Sequence, residues 1–78
     1  MQPGISRDEV LCIRRSFLNL EPEENGRLRV RNIIQKYENA YQMQNIAQSF
    51  QGKKYVTFTE YYNVMVEVTL KRKANFGG

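Results

Sequence analysis

Val10, Ile13, Phe17 and Leu20 recur at intervals of three, four and three, a period that lays one apolar stripe along a helix. Ser6 and Glu9 bracket its start as a capping box, in which each side chain answers the other's backbone N–H. Asp8 and Glu9 add negative charge to the first turn, where the helix dipole favours it. Arg14 and Arg15 fall outside the stripe. The helix has to stop by Glu21, because a residue before proline is pushed away from helical angles.

Six residues, Glu21 to Gly26, then form a loop with Asn25-Gly26 as its turn signal. Arg27-Leu28-Arg29 alternates polar and apolar, which predicts a very short strand. A second helix is predicted from near Val30, with Ile33, Ile34, Tyr37 and Tyr41 at helical spacing. A third follows from about Tyr41 to Phe50, carried by Met43, Ile46 and Phe50. Gln51 to Lys54 makes a second loop, and Tyr55-Val56-Thr57 a second short strand.

The last segment points two ways. Val64, Val66 and Val68 alternate as in a strand. Thr57 and Glu60 form a second capping box, however, and Phe58, Tyr61, Met65, Val68 and Thr69 keep helical spacing. Lys71-Arg72-Lys73 suits a helix C-terminus, so helix is the choice. Residues 1–5 are expected as a flexible N-terminus, 6–73 as one folded lobe, and 74–78 as a flexible tail.

Composition narrows the chemistry. The 78 residues suffice for one domain, which buries only roughly 60% of its unfolded surface. Cys12 is the only cysteine, so no disulfide can form within the chain, and a reducing compartment fits. With no histidine, the usual general base and the usual zinc ligand are both missing. Cys12 lies between Leu11 and Ile13, an apolar setting that suits a structural thiol better than a nucleophile. A non-catalytic protein without a cofactor is expected. No signal peptide or membrane-spanning stretch is apparent. The balance of 12 basic against 8 acidic residues gives +4, grouped at Arg27, Arg29 and Arg31, at Lys53-Lys54, and at Lys71 to Lys73. Such a charge suits an acidic partner. Nucleic acid is not the expectation, since the cations are not gathered on one predicted helix and only Tyr55 stands beside a pair of them.

Helix, loop, short strand and helix thus occur twice. In this arrangement Glu21 to Asn32 resembles the twelve-residue loop of an EF-hand. Gly26 stands at the sixth place, where the turn needs glycine, and Leu28 at the eighth, where paired loops exchange strand bonds. The second unit matches from its loop end, with Val56 at the eighth place and Glu60 at the twelfth. Its front half is short: Leu28 and Val56 are 28 positions apart, against about 36 in a regular pair. The resemblance, over residues 6 to 70, is to a degenerate EF-hand pair. It implies an all-α fold, a single EF-hand-like lobe of four helices with two short paired strands between the loops, like one lobe of calmodulin.

Calcium binding is not expected. Glu21, Glu23 and Asn25 could coordinate, but Asn32 replaces the bidentate glutamate at the twelfth place. The second loop keeps Glu60 yet places Gln51, Lys53 and Lys54 among its ligand positions, so Glu60 is better read as a helix cap. Degenerate pairs can still take an amphipathic helix in a hydrophobic groove. By position, the resemblance assigns such a groove to Ile13, Leu20, Ile33, Tyr37, Tyr61, Val64 and Met65. Periodicity adds Met43, Ile46 and Val68. Each of these is as easily an ordinary core residue, and Phe17, Leu28, Val56 and Phe58 are assigned to the core outright.

A lone lobe with degenerate loops is most similar to the single-lobe light chains of class I unconventional myosins. The resemblance implies a cytoplasmic, cytoskeleton-associated protein, a monomer when free, that grips an IQ-motif helix without calcium and supports a myosin lever arm. Light chains are mostly acidic, and +4 departs from that. The alternative is an EF-hand-like adaptor docking on an acidic cytoskeletal or filament surface.

Overall fold

The computed structural model describes residues 4–37 and 44–77. Four helical segments and two strands follow in the order α1 (Arg7–Asn19), β1 (Leu28–Arg29), α2 (Val30–Tyr37), α3 (Gln44–Ser49), β2 (Tyr55–Val56) and α4 (Phe58–Gly77). The expected all-α lobe of four helices is corrected here. Only α1, α2 and α4 exceed two turns; α3 has six residues, fewer than two turns. The described fold is three helices, one short helical segment and a two-stranded antiparallel sheet. The physical reason lies in the polar residues around Ile46, where Gln44, Asn45, Gln48 and Ser49 leave Ile46 as the one large apolar anchor within the segment, too little to extend a helix. Tyr41 and Met43, expected on that helix, lie outside the described residues.

The sheet joins the two halves. Leu28 pairs with Val56 and Arg29 with Tyr55. Side chains alternate across a strand, so Leu28 and Val56 turn to the core, both at 0% exposure, while Arg29 and Tyr55 face solvent. The ladder runs one step further, with the Val30 N–H donating to the Lys54 carbonyl at 2.9 Å.

Both capping boxes form. Glu9 N–H donates to Ser6 Oγ at 3.2 Å, and Ser6 N–H to Glu9 Oε1 at 2.9 Å. Ahead of α4, Glu60 N–H donates to Thr57 Oγ1 at 3.2 Å and Thr57 N–H to Glu60 Oε1 at 3.1 Å. At the far end of α4, Lys73 Nζ donates to Glu9 Oε1 at 2.5 Å and to the Gly4 carbonyl at 2.7 Å. That pair, with the Ser6 backbone N–H, lowers the Glu9 pKa to about 2. Gly4 and Ile5 are correspondingly part of the fold: Ile5 is 4% exposed, although residues 1–5 were expected to be flexible. The α4 helix also covers residues 74–77, which were expected in a tail.

The core gathers around Tyr61, Phe50, Leu28, Ile33, Ile46 and Val56, all below 2% exposure. Phe17 meets Phe58 edge-on, with centroids 5.0 Å apart, and Tyr61 at 5.7 Å. The valine alternation in α4 has a packing cause. The helix contacts both α1 and α3, so Met65 and Val66 are buried while Val64 and Val68 are half-buried against the same cluster. A helix covered on more than one side loses its single stripe.

Candidate functional site

The two loops carry opposite solutions to one problem, an acidic side chain near a turn of backbone N–H groups. In the first, Glu21 takes φ 57° and Gly26 φ 79°, left-handed angles that cost a side chain about 1–2 kcal/mol and suit glycine. Glu23 N–H donates to the Arg27 carbonyl at 2.9 Å, and Gly26 N–H to the Glu23 carbonyl at 2.8 Å. Asn25 Oδ1 accepts from Arg27 N–H at 3.0 Å, closing the turn with its own side chain. The Arg29 guanidinium donates to Glu23 Oε1, and this carboxylate raises the Arg29 pKa.

In the second loop Gly52 takes the left-handed turn at φ 86°. Lys53 Nζ donates to Glu60 Oε2. Together with the Thr57 backbone N–H, the Lys53 ammonium lowers the Glu60 pKa to about 2. Glu60 therefore caps α4 and accepts a lysine at once. Each loop thus holds a carboxylate against a cation of its own. Among the described residues, no group of three or more Cys, Asp and Glu is placed to hold a metal ion. Of the other sequence-assigned ligand positions, Glu21 and Asn25 are exposed and Asn32 is half-buried in α2.

The residues assigned to a helix-binding groove are brought together, but inside the molecule. Ile13, Leu20, Ile33, Ile46, Tyr61 and Met65 are all buried. Tyr37, Val64 and Val68 are partly exposed at the edge of the same cluster. Met43 lies outside the described residues. In this closed arrangement the groove floor is core. A hydroxyl cluster ties its helices, with Ser16 Oγ 2.8 Å from Tyr61 Oη and Tyr37 Oη 3.2 Å from it on the other side. Burial raises the Tyr61 pKa, so this phenol keeps its proton.

Sequence reasoning missed two surfaces. Cys12, expected in an apolar setting, is exposed. Elsewhere on α1, Leu11 and Leu18 are left at 48% and 59% exposure, because Ile13 and Phe17 take the inward stripe. The second surface is a groove of about 620 Å³ lined by Arg29, Arg31, Lys53, Lys54, Ile34 and Tyr55, with Val30 and Gln35 completing it. The strand pairing creates it, by setting the cations of the two loops side by side; Lys71, Arg72 and Lys73 do not line it. The clustering of Arg29 with Arg31 and of Lys53 with Lys54 was the available signal; their union needed the register.

No helix among the described residues is long and apolar enough to cross a membrane. Compared with known protein families, with curated proteins and with solved structures, the chain finds no match in any of the three.

Proposed function

We propose that this chain is a non-catalytic binding module that resembles a degenerate EF-hand pair and holds an amphipathic helix, the IQ motif of an unconventional myosin, without calcium. The observation that carries the reading is the pairing of Leu28 with Val56 between two helix–loop–strand–helix units. Around that pairing both loops close on internal ion pairs, Arg29 with Glu23 and Lys53 with Glu60. Their geometry is set by protein charges, so a bound ion is not needed to shape them. The helix would enter where Tyr37, Val64 and Val68 already reach the surface, parting α2 from α4 and exposing Ile33 and Met65 behind them. In this reading the module acts in the cytoplasm on the cytoskeleton, stiffening a myosin neck.

The test is an NMR titration of the labelled protein with a myosin IQ peptide, in chelator and again in excess calcium. Saturable shifts centred on Tyr37, Val64 and Val68, equal in the two buffers, are expected. Val64→Asp and Val68→Asp should weaken binding without unfolding the lobe, since both positions are only half-buried. Binding that appears only with calcium, or no shift in either buffer, rejects the proposal.

A further inference from the structure

The net charge of +4 has a place in the fold. Four of the twelve basic residues line one groove on the outer side of the strand pair. None of the groove's lining residues is acidic. Arg29 and Lys53 each hold one carboxylate, but both stay half exposed, at 59% and 50%. Arg31 and Lys54 are exposed and have no ion-pair partner among the described residues. The same groove is lined by two large apolar side chains left in solvent, Ile34 at 38% and Tyr55 at 42%. Concave placement of like charges beside low-dielectric walls focuses the positive potential along the groove.

We propose that this groove docks an acidic linear segment of a partner protein, seating one large apolar side chain between Ile34 and Tyr55 while its carboxylates meet Arg29, Arg31, Lys53 and Lys54. Charge complementarity sets the sign of the ligand. The apolar pair sets its class. A polynucleotide lying in a groove is held by successive aromatic faces, whereas this one offers a single tyrosine and an aliphatic isoleucine. A peptide side chain fills such a slot, and arginine presents donors in a fork that fits a carboxylate. The volume of about 620 Å³ suits a few residues of extended chain. The site stands apart from the proposed helix groove and needs no opening of the lobe, so either proposal can fail alone.

The probe is a capped heptapeptide with three acidic residues on each side of a phenylalanine, titrated into labelled protein at low salt. Saturable shifts at Arg29, Arg31, Ile34, Lys53, Lys54 and Tyr55 are expected, weakening as salt rises. Arg31→Glu and Lys54→Glu, both at exposed positions, should each lower the affinity roughly ten-fold while the rest of the spectrum stays in place. Replacing the central phenylalanine of the probe by serine should lower it by a similar factor. Equal binding of the serine peptide would overturn the apolar slot. Tighter binding of a decathymidylate to the same residues would overturn the peptide in favour of nucleic acid. Shifts elsewhere, or none, would overturn the site.

Discussion

The two loops do the same work from opposite ends. In the first the acid comes early and the base late, Glu23 before Arg29; in the second the base comes early and the acid late, Lys53 before Glu60. Counted forward along each chain segment from the paired residues Leu28 and Val56, the helix starts that follow correspond, Arg29 to Thr57 and Asn32 to Glu60. Thr57 and Glu60 cap α4 reciprocally. Arg29 has no acceptor in its side chain, so α2 has no such box, and its first N–H, on Val30, is satisfied instead by Lys54 of the other loop. One half therefore supports its own helix, and the other borrows. The lesson is directional: outside the shared pair Leu28 and Val56, damage to the second loop should spread to the first, and damage to the first should stay local.

The largest effect belongs to the residue both halves share. Leu28 is fully buried where the loops meet. Leu28→Ala should cost about 2–5 kcal/mol, a large part of what a domain this small holds. Urea unfolding should show one transition, shifted to lower denaturant, with the helical signal lost in a single step. Two separate transitions would mean that the halves fold independently, and the borrowing would then be of little consequence.

A middle-sized effect tests the direction itself. Thr57→Ala removes the cap of α4 and should cost about 1 kcal/mol. By loosening Tyr55 and Val56 it should also speed amide exchange at Val30, in the other half. Arg29→Ala, at the aligned position, should stay within about 0.5 kcal/mol and leave Val30 protected, because the bond there comes from Lys54. Equal loss of Val30 protection in the two variants would abolish the asymmetry.

Local grammar carried much of this into the sequence. Ser6 with Glu9 and Thr57 with Glu60 announce helix starts because a capping box is complete within four residues. Leu28 and Val56 were readable as strand partners through their loop positions, and the stripe Ile13, Phe17 and Leu20 through its period. What escaped depends on contacts far apart in the chain. Ile5 joins the core cluster, and Lys73, at the other end of the chain, bonds the carbonyl of its neighbour Gly4. Six of the positions assigned to a binding groove, five through the resemblance and Ile46 through its period, were found in the closed core, since neither marks what covers an apolar face. The apolar neighbours of Cys12 did not fix its exposure either: successive helix residues point about 100° apart, and its own direction is outward.

The smallest effect isolates a single charge. Held by Lys53 and by the Thr57 N–H, Glu60 titrates near 2 and not near its ordinary 4.5. A carboxylate with a lowered folded-state pKa contributes stability that is complete above about pH 4.5 and fades as the pH falls towards about 2. Lys53→Met removes the larger cause and keeps the smaller. The Glu60 pKa, followed by carboxyl carbon shifts, should rise but stop short of 4.5, because the backbone bond of the cap remains. Acid unfolding of this variant should depend less steeply on pH in that window. Glu9 serves as the control, since its partner Lys73 is untouched and its value near 2 should not move. A full return of Glu60 to 4.5 would show that the cap does not form without the lysine, and that the second loop holds its helix through its own ion pair and not through the capping box alone.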